Sequence, residues 1–234
     1  MHVFYIPDVV AGGIYNLDKE ESYHCVRVLR LKEQDEVMLT DGKGGLHLAE
    51  IVQADSRCCS VLVKNPLEDT QKRSFRVHIA LAPTKNISRT EWFIEKATEM
   101  GVDRISLFVS EHSERTSVNM ERLNKLVISA AKQSVKAMMP QLDPLCSFES
   151  VIMQADCDKK FLACCNREDR TSIKKEYVAG ESAMVMIGPE GDFSEKEVKA
   201  AEEMGFRIIS LGQSRLRTET AALYALQNIH FVNS

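Results

Sequence analysis

Apolar residues along the chain change their spacing near residue 70. Before that point they form short runs rich in aliphatic and β-branched residues, at 37–40, 47–52 and 59–63, with the turn Asp41-Gly42-Lys43-Gly44-Gly45 after the first run. Short runs bounded by glycine turns predict β strands. Residues 1–70 are therefore predicted to form a small β-rich domain, and the polar stretch 65–73 is predicted to be a linker.

Beyond residue 70, apolar strands alternate with helical periodicity. A helix at 91–100 is predicted to end at Gly101, and a longer helix is predicted to begin after the N-cap Asn119 and to stop before Pro140. This alternation predicts an α/β domain over residues 71–234. Its strands are predicted at 77–81, 105–110, 161–165, 183–187 and 207–211.

Composition is that of an ordinary globular protein, with 44% hydrophobic and 27% charged residues. The longest apolar run, residues 221–226, has six residues, far fewer than the roughly 20 that cross a bilayer. The first eight residues lack a secretory signal pattern, so a cytoplasmic protein is predicted. The seven cysteines show no Cys-x-x-Cys or Cys/His ligand spacing, which predicts reduced, mostly buried thiols and no metal site.

Charge is balanced in the C-terminal part of the chain and acidic in the N-terminal part. Residues 1–72 carry 8 Lys and Arg against 12 Asp and Glu, and residues 73–234 carry 22 of each sign. Neither part has the general basic charge that is typical of nucleic-acid-binding domains. Any nucleic-acid site must therefore be local.

The strand at 183–187 runs into a glycine loop, Gly188-Pro189-Glu190-Gly191. Ser194 is then predicted to open a helix through a capping box with Glu197. Glycines let a backbone approach a ligand closely, and ligands bind at the carboxyl edge of α/β sheets. An ordinary tight turn is the alternative, and the absence of a Lys-Ser/Thr ending excludes a phosphate-binding P-loop.

A second glycine loop follows the strand at 207–211. It begins at Leu211-Gly212 and ends in Leu216-Arg217-Thr218-Glu219-Thr220-Ala221, where Thr218 is the predicted N-cap of the terminal helix. Arg217 either forms an ion pair with Glu219 or faces an anionic or carbonyl-bearing substrate. The spacing alone leaves both interpretations open.

These two loops, in this order, resemble the SPOUT class of S-adenosylmethionine-dependent RNA methyltransferases. The closer resemblance is to the RsmE family, which methylates N3 of a uridine in small-subunit ribosomal RNA. It extends over nearly the whole chain. The other segments that agree in order are His24 to Lys32, Asp41-Gly42, Glu91-Trp92, Lys96 to Val102 and Ala130 to Ser134.

The resemblance implies an N-terminal PUA-like β-barrel and a C-terminal SPOUT domain with a deep trefoil knot that binds S-adenosylmethionine and forms a homodimer. The implied partner is small-subunit ribosomal RNA, free or within the assembled 30S subunit, and no membrane or metal is implied. Two alternatives are a SPOUT ribose 2′-O-methyltransferase and an RNA-binding ribosome-assembly protein without catalysis.

The resemblance also implies roles for single residues. Arg217 stabilises negative charge on the uracil ring, and Glu219 or Thr220 orients it or assists proton removal. The chain departs from the family at Val135-Lys136, where Gly-Arg is common, and at Asp192, where a second glycine is common. The cofactor residues implied are Cys164, Ile187, Gly188, Pro189, Glu190, Gly191, Leu211, Gly212 and Leu216.

RNA contacts are expected in a local basic segment. Residues 22–32 contain Arg27, Arg30 and Lys32 and no acidic residue. With the resemblance, this segment is expected to contact phosphates, together with His24 and Lys136. A solvated helix face is the alternative. Trp92 and Phe93 are predicted to be core residues rather than base-stacking platforms.

Overall fold

The computed structural model describes residues 1–67, 73–165 and 170–234. The chain divides into two compact units, Met1–Lys72 with Ile128–Met139, and Arg73–Val127 with Pro140–Ser234. The predicted boundary near residue 70 lies outside the described residues, and the division into 1–70 and 71–234 stays a prediction. Residues 128–139 group with the first unit because Thr40 Oγ1 donates to Lys136 O at 3.0 Å and Met139 N donates to Gly42 O at 2.9 Å.

The first unit contains a sheet in the order β1-β3-β4-β5-β2. β1 and β3 are parallel, and the other pairs are antiparallel. The three predicted strands are confirmed, although β5 extends into part of the predicted linker; 68–72 lie outside the described residues. The strands are β1 Val3–Tyr5, β2 Ile14–Asn16, β3 Glu36–Thr40, β4 Leu46–Gln53 and β5 Ser60–Leu67.

A short helix, α1 (Lys19–Tyr23), lies between β2 and β3 and continues into a π-helical turn, His24–Val28. Asp18 caps α1 by accepting a hydrogen bond from Glu21 N at 2.8 Å. The first unit encloses its own core, in which Phe4, Leu39 and Ile51 are fully buried. The first unit therefore has a hydrophobic core formed by its own apolar residues.

The second unit contains a parallel sheet in the order β11-β13-β10-β12-β6-β7-β8, with β9 also pairing with β7. The predicted strands at 77–81 and 183–187 are confirmed to the residue, and β10 begins and ends two residues earlier than predicted. The strands are β6 Val77–Leu81, β7 Arg104–Val109, β8 Gln141–Leu142, β9 Cys146–Ser147, β10 Lys159–Ala163, β11 Thr171–Ser172, β12 Ala183–Ile187 and β13 Arg207–Ser210.

The predicted helices are present, and most begin and end at the expected signals. Gly101 closes α2 with φ of 89°, a left-handed conformation that favours glycine. Asn119 Oδ1 accepts from Arg122 N at 3.0 Å as the N-cap of α3, and Ser194 and Glu197 form the predicted capping box of α6. The helices are α2 Ile87–Met100, α3 Met120–Gln133, α4 Phe148–Met153, α5 Ile173–Glu176, α6 Glu195–Glu203 and α7 Thr218–Val232.

The core on one side of this sheet is aromatic. The Phe193 ring stacks on Phe108 with centroids 6.1 Å apart, and Phe148 packs at an angle to both. Phe93 is fully buried on α2, as predicted. The prediction for Trp92 is wrong: its side chain is 45% exposed, because it lies beside Phe93 on the helix and the 3.6-residue period turns it outward.

None of the helices among the described residues is long and apolar enough to cross a bilayer. The cysteines are less uniformly buried than predicted. Cys25, Cys59 and Cys164 are buried, whereas Cys58 and Cys165 are exposed. Each exposed cysteine directly neighbours a buried one, so each adjacent pair places one thiol inside and one in solvent.

Strands β6 and β7 carry a buried polar group in the second unit. The Ser106 hydroxyl donates to Asp143 and lies 2.7 Å from His78 Nε2. Because its one proton is used on Asp143, we infer that His78 donates from Nε2 and is neutral. Burial, and then the nearby Arg104 charge, lower the pKa of His78 to about 4.

We expect this histidine to make stability depend on pH between about 6.5 and 4. The unfolded chain carries His78 with its ordinary pKa of 6.5, so in this window it binds a proton that the folded protein excludes. Stability therefore falls as the pH falls, by about 2 kcal/mol between pH 7.5 and pH 5 from this group alone. Urea unfolding at the two pH values measures the loss. His78→Gln should remove it, and an unchanged pH dependence in that variant would contradict the assignment.

Candidate functional site

The carboxyl ends of parallel strands meet at one edge of the second unit. Register pairs place Ala163 beside Ile187 and Ile187 beside Leu81, so the segments that follow β10, β12 and β6 start next to one another. Clefts at this edge bind ligands in open α/β sheets. The two predicted glycine loops both begin here, after β12 and β13.

The loop after β12 is packed closely by the protein itself. An added Cβ at Gly188 would lie 3.1 Å from the Phe193 ring, and one at Gly191 would lie 3.0 Å from His112 Cβ. Phe193 and His112 therefore constrain these two glycines from within the protein, and the expectation that the glycines let a ligand approach stays a prediction. Glu190 is exposed, and its Oε1 accepts from Lys85 N, after β6, at 3.1 Å. Ile187 and Pro189 are buried.

The loop after β13 is more open. Gly212 has φ of 128°, which other residues rarely adopt, and no atom lies within 4 Å of the position that a Cβ would take. Ser210 Oγ accepts from Gly212 N at 3.2 Å and fixes the turn. Leu211 and Leu216 are half-buried on either side. Here glycine is required by backbone conformation and leaves free space beside the chain.

The start of α7 differs from the prediction by one residue. Arg217 is the N-cap, with extended φ and ψ of −73° and 156°, and Thr218 is the first helical residue. The predicted cap is wrong because Thr218 is buried inside the first turn. Arg217 offers no side-chain acceptor, so the first amide groups of α7 have no side-chain cap. Arg217 and Thr220 are both exposed.

Glu219 pairs with a residue that the sequence pattern did not single out. Its Oε1 lies 3.8 Å from Arg89 Nε of α2, and its carboxylate is buried. Among the described residues, its Oε2 has no hydrogen-bond partner. The interpretation of Arg217 as the ion-pair partner of Glu219 is therefore wrong, and Arg217 stays available to a ligand.

The segment after β7 joins the same edge, although no sequence motif marked it. Glu197 of α6 accepts from Ser110 Oγ at 3.1 Å and from Glu111 N at 2.9 Å. Arg115 donates to Thr84 O at 3.0 Å and to Lys85 O at 2.7 Å. These contacts tie the segments after β6 and β7 and the start of α6 together. Only a folded sheet brings such distant residues into contact.

The predicted RNA residues lie in the first unit. His24 and Arg27 are exposed on the π-helical turn, and Arg30 and Lys32 are exposed just after it. Arg30 has φ of 59°, a left-handed conformation that is uncommon for a residue with a side chain. Lys136 also belongs to this unit and is half-buried. π turns and left-handed residues are frequent at functional sites.

Comparisons with known proteins cover both units. The sequence profile of an RNA methyltransferase domain matches residues 71–230, and that of an RNA methyltransferase PUA domain matches residues 17–63. A Bacillus subtilis protein, ribosomal RNA small subunit methyltransferase E, is 28% identical over 230 residues, covering 93% of this chain and 90% of its own. The Rickettsia conorii protein of the same name is 28% identical over 221 residues, covering 93% and 90%.

Solved structures agree with the fold. A Porphyromonas gingivalis protein described as a probable rRNA-methyltransferase is 39% identical, with a TM-score of 0.92 over 100% of this chain and 98% of its own. A Legionella pneumophila protein described as a methyltransferase, in complex with the cofactor SAM, is 25% identical, with a TM-score of 0.88 over 99% and 97%.

The profile matches to residues 71–230 and 17–63 place the chain in the class of RNA methyltransferases with a PUA domain. The chain belongs to the RNA methyltransferase domain family, and the resemblance predicted from its two glycine loops is confirmed.

Proposed function

We propose that this protein transfers a methyl group from S-adenosylmethionine to N3 of a uridine in small-subunit ribosomal RNA. The relatives named ribosomal RNA small subunit methyltransferase E support the substrate, and the Legionella complex supports the cofactor. One observation carries the chemistry. The N-terminus of α7, which directly follows the second glycine loop, carries an exposed Arg217 and a buried Glu219.

The residues at this edge suit the cofactor. Gly212 leaves open space beside a backbone with positive φ, and Leu211 and Leu216 of the same loop are half-buried apolar residues. S-adenosylmethionine supplies an electrophilic methyl group when it is bound. The residues that would hold it are Cys164 after β10, Ile187, Gly188, Pro189, Glu190 and Gly191 after β12, and Leu211, Gly212 and Leu216 after β13.

Arg217 has the properties of an electrostatic clamp for the base. Uridine N3 becomes a good nucleophile only as it loses its proton, and negative charge then spreads to the ring oxygens. Arg217 is the N-cap residue of α7, so a base bound at this helix end would be stabilised both by the guanidinium charge and by the helix dipole. Thr220 orients Arg217, or Glu219 or Thr220 assists removal of the N3 proton.

The proposal also covers the knot, the barrel and the oligomeric state. We propose that the second unit has the deep trefoil knot of SPOUT proteins, that the first unit closes into a PUA-like barrel, and that the protein is a cytoplasmic homodimer. Large apolar side chains exposed on α2 and α7 support a second copy as partner: Trp92 is 45% exposed, Tyr224 is 40% exposed and Phe231 is 66% exposed. Light scattering of the purified protein tests the dimer.

Nucleoside mass spectrometry tests the activity. Small ribosomal subunits, or the RNA extracted from them, are taken from a strain that lacks this protein and are incubated with the protein and S-adenosylmethionine. We expect N3-methyluridine as the product, and the comparison of the two substrates shows which is used. A ribose-methylated nucleoside, or RNA binding without any product, would overturn the proposal.

A further inference from the structure

Asp192 directly follows Gly191 in the loop after β12. Its φ of 63° lies in the left-handed region, which costs an ordinary residue about 1–2 kcal/mol and which Asp and Asn tolerate best among residues with side chains. Glycine would adopt it without strain. The side chain must therefore contribute something that offsets the backbone cost.

The Asp192 carboxylate joins two neighbouring loops. Oδ2 accepts from Cys165 N at 2.8 Å and from Cys164 Sγ at 3.5 Å, both of which follow β10. Oδ1 accepts from Phe193 N at 2.9 Å and so orients the carboxylate. Hydrogen bonds to a charged carboxylate are about twice as strong as neutral ones. The loop after β10 is thereby held against the loop after β12.

The backbone at Asp192 is held from two other sides. His112 Nδ1, after β7, lies 3.0 Å from Asp192 O and 3.2 Å from Gly191 O, and since carbonyl oxygens only accept, this nitrogen donates. The next residue, Phe193, is buried in the aromatic core. Asp192 is thus fixed in place, and its carboxylate holds the segment at Cys164 and Cys165 against the loop after β12.

We propose that Asp192 is a positioning residue for the cofactor. The hydrogen bonds of its carboxylate form a clasp that holds the loop after β10 against the loop after β12. The inference rests on the proposed function, since both loops contain residues assigned to S-adenosylmethionine. A clasp formed before binding lowers the ordering cost of the two loops and so strengthens cofactor affinity. Asp192 is not among the residues assigned to the cofactor or to the chemical step, so its effect is expected on binding and not on turnover.

Asp192→Gly separates this role from a merely structural one. The variant removes the clasp and also the backbone strain, so the melting temperature should stay equal or rise while calorimetry shows about tenfold weaker S-adenosylmethionine binding. KM for the cofactor should rise with kcat nearly unchanged at saturation. Asp192→Asn keeps an oxygen acceptor and tolerates the left-handed conformation, so it should restore most of the affinity. Unchanged affinity in Asp192→Gly, or affinity and melting temperature falling together, would overturn the proposal.

Asp158→Gly is a matched control. Its carboxylate joins the same two strands at their opposite ends, where Oδ2 accepts from Ser182 N at 2.8 Å. Losing this bond should lower the melting temperature and leave cofactor affinity unchanged. Equal losses of affinity in both glycine variants would refute a specific clasp.

Hydrogen exchange tests the clasp without any cofactor. The Cys165 amide should exchange faster in Asp192→Gly than in the wild-type protein, and equal protection would refute the clasp. Wild-type protein that fails to bind S-adenosylmethionine, with the Cys165 amide still protected, would instead refute the proposed function. The two failures are thus distinguishable.

Discussion

Replacing Arg217 with alanine is expected to lower methyl transfer by about 10²–10³-fold, the usual effect of removing one preorganised electrostatic donor. Arg217 is exposed at the N-cap of α7, and Glu219 pairs with Arg89 instead. Cofactor affinity should therefore change little, and the free energy of unfolding should change by less than about 0.5 kcal/mol. Single-turnover kinetics, calorimetry and thermal unfolding on the same variant measure the three quantities.

Two further variants sharpen this prediction. Arg217→Lys should recover only part of the rate, because an ammonium keeps the charge without the planar fork that meets a carbonyl oxygen. Arg215→Ala is the matched control, since Arg215 is an exposed arginine two residues earlier on the same loop. It should retain most of the turnover. Full turnover in Arg217→Ala, or an equal loss in Arg215→Ala, would contradict the clamp.

The sequence predicted best those elements whose signals are local. β12 is a continuous run of five apolar residues, and β6 has four apolar residues around His78, so both strands are readable from the local pattern. The capping box of α6 lies within four residues and is equally readable. By contrast, β1 and β2 have three residues each, too few for any period to show, and they exist only because β3 and β5 pair with them.

The sequence predicted the glycine loops of the candidate site but not the side-chain contacts within it. The order of Gly188 to Gly191 and Leu211 to Ala221 identified the family, yet Arg89 reaches Glu219 only because α2 and α7 pack together. The cap of α7 was misplaced because Thr218 has the side chain of a cap but lies in the buried first turn. Such pairings depend on long-range packing, which a pattern along one chain does not encode.

Asp192, which replaces the expected glycine, shows in a single residue the same limit of prediction from sequence. As a sequence feature it suggested only a loss of backbone freedom next to Gly191. The structure adds a positive φ and a carboxylate bonded to the loop after β10. A substitution that costs backbone energy thus brings a contact between two loops, and the contact becomes visible only when both strands lie in one sheet.

Removing Arg27, Arg30 and Lys32 together is expected to weaken RNA binding by about 10²-fold near 0.1 M salt, because each lost phosphate contact forgoes the release of about one counterion. All three side chains are exposed along one short stretch of the first unit. The slope of log K against log salt should flatten by roughly 0.7–0.9 per contact, and S-adenosylmethionine affinity should not change. Filter binding of small-subunit ribosomal RNA over a range of salt concentrations measures the slope.

The control for this experiment removes the same charge elsewhere in the same unit. Lys43, Arg57 and Lys64 are exposed and lie outside residues 22–32, so their joint replacement by alanine lowers the net charge equally. If the basic segment contacts phosphates, the control should keep nearly the full salt slope, since long-range attraction is screened beyond about 10 Å at 0.1 M salt. Equal slopes for the two triple variants would show that residues 22–32 are a solvated surface without phosphate contacts. A flattened slope confined to the first variant would place phosphate contacts on the π-helical turn and the residues that follow it.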